Sequence, residues 1–241
     1  MLQTGKRKIL LIAISVILFV TLAAAAYAGD YYPAGELALS ALGSDEEISV
    51  TVHDNGTVSF MPDTPHRGLI FYPGGKVEHT AYAPLLRSLA GEGWLCILVE
   101  MPFRLAVLDK NAASGIPERY PEIDSWYIGG HSLGGAMAAS YAAEHTESFD
   151  GLILLGSYST EDLRHSGLRI YSLYGSEDGV LNMENYEEYR IHLPEDTQEL
   201  IIDGGCHAYF GDYGPQDGDG EPVISAMDQI ALTVDFLTPQ A

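Results

Sequence analysis

The chain has 241 residues, 46% of them hydrophobic, enough to bury one sizeable core, and its 26 glycines are scattered without repeat or low-complexity tract. Twelve basic against 34 acidic residues leave a formal net charge of -22. That balance excludes nucleic acid and anionic lipid surfaces as partners, because binding phosphates needs a basic face, and reads as solubility or adaptation to a salty or acidic setting.

Lys6, Arg7 and Lys8 precede an uncharged, mostly apolar run at 9–28. Twenty helical residues at about 1.5 Å each span roughly 30 Å, the thickness of a bilayer core, so the run predicts a single-pass transmembrane anchor. Residues 1–8 would then stay in the cytoplasm and the body would lie outside the cell membrane. The competing expectation is a signal peptide cleaved near Ala28, since Ala26-Tyr27-Ala28 has the small-x-small form of a processing site. Under either reading the body is exported. Residues 29–47 read as a juxtamembrane stalk, and 48–241 as the folded domain.

"EISVTVHDNGTVSFMP" predicts two strands joined at Asn55-Gly56, a strong hairpin signal. "GLIFYPGG" is a buried strand ending in glycines, followed by the helical "YAPLLRSLAGEG", the strand "WLCILVEMP" and a helical stretch from about Leu105 to Ala113. "SWYIGG" is the next strand and "SLGGAMAASYAAEH" the next helix. "GLILLGSY", "LRIYSLYG" and "TQELIID" complete the strands, with a helix around Asn182 to His192 before the last of them. "VISAMDQIALTVDFL" closes the chain as an amphipathic helix. This alternation predicts an α/β fold, a mostly parallel central sheet with helices on both faces. Functional residues are then expected on loops at the carboxyl ends of the strands.

Gly130-His131-Ser132-Leu133-Gly134 matches G-x-S-x-G between a predicted strand and a predicted helix. A serine on so tight a turn needs neighbours without Cβ atoms, and the helix start places backbone N–H groups near a developing oxyanion. The competing reading of Ser132 is a helix N-cap. A nucleophilic serine needs a base, and that base needs an orienting carboxylate. Among eight histidines, His207 in "IIDGGCHAYFGDYG" directly follows the last strand. His53, His66, His145, His165 and His192 fall on structural or solvated positions. His131 adjoins the serine without in-line geometry, and His79 could line the site. Asp178, in the turn "LYGSEDGV", is preferred to its neighbour Glu177 as the acid. Ser132, Asp178 and His207 thus lie at three strand ends in the order nucleophile, acid, base. The oxyanion donors are expected to be the N–H of Leu133 and, from "YPGGKV", that of Gly75 or Lys76.

The series "FYPGGKVEHTAYAPL", "VEMPFRLAVL", "IGGHSLGGAMAA", "LYGSEDGV" and "GGCHAYFGDYGPQDGDG" resembles the α/β-hydrolase superfamily, from about residue 68 to 230. More narrowly it is similar to the small bacterial fold-5 branch, akin to dienelactone hydrolases. The resemblance implies a serine triad on Ser132, Asp178 and His207, hydrolase activity without a cofactor, and an N-terminal membrane segment. The dienelactone-type cysteine nucleophile is absent, since Ser132 occupies the elbow, so lactone specificity does not carry over. The interval from Ser157 to Gly167 leaves no room for the cap domain many relatives insert, which favours small or exposed ester substrates over long acyl chains.

Cys96, in an apolar strand, and Cys206, in a glycine turn, are expected as unpaired thiols, and no zinc spacing occurs. In "DYGPQDGDGE" Asp217, Asp219 and Glu221 alternate, but the loop departs from a calcium-loop pattern and reads as a solvated surface loop. No metal is expected. The sequence therefore points to a membrane-anchored serine hydrolase of carboxylic esters acting through an acyl-enzyme. The alternatives are an acyltransferase on the same triad and a non-catalytic envelope binding protein.

Overall fold

The computed structural model describes the backbone of residues 2–238, and their side chains except at 2–6, 9–10, 23–26 and 28. The chain divides into two compact units, Met1–Tyr31 and Tyr32–Ala241. Helix α1 (Leu2–Gly29) makes up most of the first. Among the described residues no helix is long and apolar enough to cross a membrane, which overturns the anchor expected over 9–28 and the single-pass placement built on it. Lys6 and the expected processing positions Ala26 and Ala28 lie outside the residues whose side chains are described.

The second unit is built on an eight-stranded sheet. Its strands are β1 (Ile48–Val52), β2 (Val58–Pro62), β3 (Arg67–Tyr72), β4 (Trp94–Leu98), β5 (Trp126–His131), β6 (Gly151–Leu155), β7 (Arg169–Gly175) and β8 (Gln198–Ile202). They lie in the order β1-β2-β4-β3-β5-β6-β7-β8. The β1–β2 and β2–β4 pairs are antiparallel and all others parallel. The hairpin turns at Gly56, whose φ of 80° suits a residue without a Cβ.

Alternation of side chains along the strands feeds two cores. Leu69 and Phe71 of β3, with Trp94, Cys96 and Leu98 of β4, join one cluster with helices α3 (Ala83–Gly91) and α6 (Ala226–Leu237). Ile70 and Tyr72, with Leu95 and Ile97, face the other, beneath helix α4 (Leu133–Glu144). A strand buried on both faces reads as a continuous apolar run, which is why "GLIFY" and "WLCIL" signal central parallel strands.

Two segments depart from expectation. The expected stalk is ordered from Tyr32 onward: Tyr32 bridges Val77, and in helix α2 (Glu36–Ser40) Ala38 is buried with its N–H donated to the Asp212 carboxylate (2.8 Å). In place of the helix expected over 105–113 stand one 3₁₀ turn, Ala106–Leu108, and irregular turns after it. Phe103 and Arg104 adopt φ of 51° and 59°, which no α-helix tolerates, and the Tyr72 hydroxyl takes the Lys110 carbonyl and the Ala113 amide as partners. Helix α5 (Met183–Arg190) lies between β7 and β8, while the 156–168 connection between β6 and β7 contains neither helix nor strand.

Candidate active site

Strand β5 delivers the chain to the carboxyl edge of the sheet, where Ser132 turns it into α4 with φ 52° and ψ -124°. This is strained backbone for a residue with a Cβ. Ser132 occupies the cap position, yet its side chain makes no capping hydrogen bond, so the hydroxyl is not committed to the helix. The elbow is fixed by its backbone: Ser132 N–H donates to the Leu155 carbonyl (2.9 Å), and the Ser157 hydroxyl donates to the Ser132 carbonyl (2.8 Å). The glycines of the motif are needed for close approach. A Cβ on Gly130 would stand 2.6 Å from the Tyr72 carbonyl oxygen, and one on Gly134 would collide with the carbonyls of Tyr72 and Pro73.

Asp178 lies in the turn after β7. One carboxylate oxygen accepts the amides of Val180 (2.9 Å) and Leu181 (2.8 Å), and the other pairs with His207 Nδ1 at 2.8 Å. Both side chains are 1% exposed. A carboxylate can only accept, so the Nδ1 proton is donated to Asp178 and Nε2 is left as the acceptor. That Nε2 is buried and has no hydrogen-bond partner. Gly156 lets the chain lie against this pair: with φ 50°, a Cβ there would come 2.9 Å from His207 Nδ1. Ser132 and His207 line one cavity of about 280 Å³, shared with Leu133, Tyr158, Val180 and Leu181.

The amide of Leu133 opens α4, where helix geometry leaves it without an intrahelical acceptor. Gly75 packs beside it, its hypothetical Cβ 3.2 Å from Leu133 Cδ2. The Lys76 amide is donated to the Arg104 carbonyl (2.9 Å), which removes it from the two expected second donors and leaves Gly75. Gly74 is committed as well, donating to the Tyr82 hydroxyl (3.0 Å), which in turn donates to His131 Nδ1 (2.8 Å). His131 is buried, and that burial, with His207 beside it at 4.4 Å between ring centroids, holds its proton affinity well below the usual range. It is a neutral strut for the Gly74 loop. His79 does not line the cavity with Ser132; its Nε2 donates to the Gly56 carbonyl (2.9 Å), and burial lowers its pKa. Glu177, exposed, accepts a hydrogen bond from Ser176.

The acid-rich loop, expected to be solvated, holds a carboxylate turned inward. Asp219 does not simply face solvent but folds back onto the loops that carry Asp178 and His207. The available signal was a carboxylate between two glycines, Gly218-Asp219-Gly220. Among the described residues no group of three or more His, Cys, Asp or Glu side chains is placed to hold a metal ion. Cys96 and Cys206 are both free and buried, and burial together with the Asp219 carboxylate pushes the Cys206 thiol up to about 12.

A sequence profile described as the alpha/beta hydrolase family matches residues 68–231. The chain belongs to that family. No curated protein sequence matches it. Among solved structures, a predicted CIB-like hydrolase from Thermoplasma acidophilum is similar with TM-score 0.54 and 17% identity, over 80% of this chain and 100% of that one. Carboxyl esterase 2 from the fungus Tuber melanosporum is similar with TM-score 0.59 and 11% identity, over 87% and 90%. The esterase domain of a Rhodothermus marinus protein is similar with TM-score 0.57 and 13% identity, over 80% and 95%. At such identities these likenesses establish the fold.

Proposed function

We propose that the protein hydrolyses small carboxylic esters with Ser132 as nucleophile. His207 Nε2 takes the Ser132 proton as the hydroxyl attacks the carbonyl, then returns it to the leaving alcohol. Asp178 keeps the imidazole in the tautomer that this requires. The amides of Leu133 and Gly75 receive the oxyanion, and water discharges the acyl-enzyme. The observation that carries the reading is His207. Its Nδ1 is tied to Asp178, its Nε2 has no partner, and the residue lines the same cavity as an uncommitted serine on strained backbone.

A cavity of about 280 Å³ lies at the small end of the range for ligand pockets, which supports short acyl groups. The short 156–168 connection, with no helix to cover the cavity, favours water over an alcohol as the acyl acceptor, and so hydrolysis over acyl transfer. A binding scaffold would have no use for an oriented His207 and an uncommitted serine lining one cavity. Turnover of p-nitrophenyl esters should fall steadily from acetate and butyrate to palmitate. Ser132→Ala should abolish it, a loss of about 10⁶-fold in kcat where a serine of this kind has been removed elsewhere. Preference for palmitate would overturn the small-ester reading, and unchanged turnover in Ser132→Ala would overturn the mechanism.

A further inference from the structure

We propose that Asp219 is a positioning residue that locks the acid-bearing loop and the base-bearing loop together through a single carboxylate. This rests on the roles of Ser132, Asp178 and His207 given above. One oxygen of Asp219 accepts the amide of Gly179, the residue directly after Asp178, at 3.1 Å, and the amide of His207 itself at 3.1 Å. It also accepts the amide of Gly220 at 2.9 Å. The second oxygen accepts the amide of Ala208 at 2.8 Å. Four backbone donors therefore converge on one side chain, and three of them belong to the two loops that must stay in register.

The need for such a lock arises from the fold. His207 stands beyond the end of β8, in irregular backbone that precedes a single 3₁₀ turn (Ala208–Phe210), so no ladder or helix fixes its main chain. The Asp178 bond orients the ring, and the main chain just before His207 is held by Gln229, which accepts the Cys206 amide and donates to the Cys206 carbonyl, and by the Glu177 amide on the Gly205 carbonyl. At His207 itself a displacement of about 1 Å at the reacting atoms would cost about 10²-fold in rate. Asp219 adds the restraint on the amides of His207 and Ala208 themselves. The packing shows that the loops are built for it. A Cβ on Gly179 would stand 2.5 Å from the Gly218 carbonyl oxygen, and one on Gly220 would collide with the Glu177 carbonyl. Only glycines let the 217–221 segment lie backbone to backbone on the acid turn. Burial alone would raise the pKa of Asp219, but the amides of Ala208, His207 and Gly179 outweigh it and hold the carboxyl below its usual value. The group is thus ionised, and an ionised carboxylate is the only side chain of this length that offers acceptors on both oxygens.

The test compares the full-length chain with Asp219→Asn, Asp219→Glu and, as a control on the same loop, Asp217→Asn, using p-nitrophenyl butyrate. Asp219→Asn replaces one acceptor by a donor that faces the Ala208 amide. It should lower kcat by about 10²-fold and leave KM unchanged, since Asp219 does not line the cavity. Asp219→Glu keeps the charge one methylene further out and should recover part of the loss, while Asp217→Asn should behave as wild type. Wild-type kcat in Asp219→Asn, at a temperature where the variant is folded, overturns the proposal; so does a rise in KM that accounts for the whole loss. If Asp219→Asn does not fold, Asp219→Glu decides, and an undiminished kcat there overturns it. Failure of the underlying reading looks different, because wild-type turnover would then survive Ser132→Ala.

Discussion

At the scale of single residues, backbone strain marks Ser132 and dense hydrogen bonding marks Asp178. Among the described residues, the non-glycines with positive φ are Lys76, Phe103, Arg104 and Ser132. Each such conformation costs on the order of 1–3 kcal/mol and persists where surrounding structure over-determines it. Here the Lys76–Arg104 backbone bond and the two bonds that fix the Ser132 elbow do so. Asp178 is over-determined too, with two amides on one oxygen and His207 on the other. Asp178→Asn should therefore keep the fold while presenting an amide that no longer holds the Nδ1 proton. We expect steady-state kcat to fall by about 10⁴-fold with little change in the melting temperature; near-wild-type turnover would move the acid role away from Asp178. Ser132, Asp178 and His207 stood out in the sequence because the proposed chemistry demands those residue types at strand ends, and the structure pairs Asp178 with His207 and lines one cavity with His207 and Ser132. The choice between Gly75 and Lys76 was not legible there, since it turns on where the Arg104 carbonyl points. Asp219 was illegible for a related reason: its partners are backbone amides, which leave no mark in a sequence.

At the scale of elements, the strands were readable wherever burial on both faces made the run continuous. "GLIFY", "WLCIL" and "GLILL" all became central strands of the sheet. The closing helix was readable as well, and its start at Ala226 is set by a reciprocal cap between Ser225 and Asp228. Segments whose fate depends on distant groups were misread. Apolar letters in 105–113 suggested a helix, but Phe103 and Arg104 enter it in a conformation that breaks one, and the Tyr72 hydroxyl from β3 holds the segment at Lys110 and Ala113. The expected stalk gave no sign that Asp212, far along the chain, would accept the Ala38 amide. In α4 the small residues do what its weak amphipathy could not announce. Gly134 and Gly135 have no side chain to hold the helix away from β3 and from Ser157, which sets Ser132 at the sheet edge.

At the scale of the whole molecule, the chain carries a net charge of -22, while its buried His131 is neutral. His131 is forced below its ordinary value near 6.5 by burial, with the nearby His207 adding to the effect, and His79 is lowered in the same direction by burial. The unfolded chain therefore binds more protons than the folded one below about pH 6.5, and stability falls as pH falls, by up to about 1.4 kcal/mol per pH unit for each such histidine. Asp219 acts in a lower window: the stability it adds is present above the ordinary carboxylate value and is lost as pH drops through its depressed one. Thermal melts should be nearly level from pH 8 to 7 and decline below about 6.5; a level melting temperature down to pH 5 would contradict a neutral buried His131. Covalent labelling of the full-length protein by a fluorophosphonate, with the modified peptide identified by mass spectrometry, checks the nucleophilic role proposed for Ser132. One adduct is expected, on Ser132, and none in Ser132→Ala. A folded wild-type protein that takes up no label, or carries it on another residue, would contradict that role.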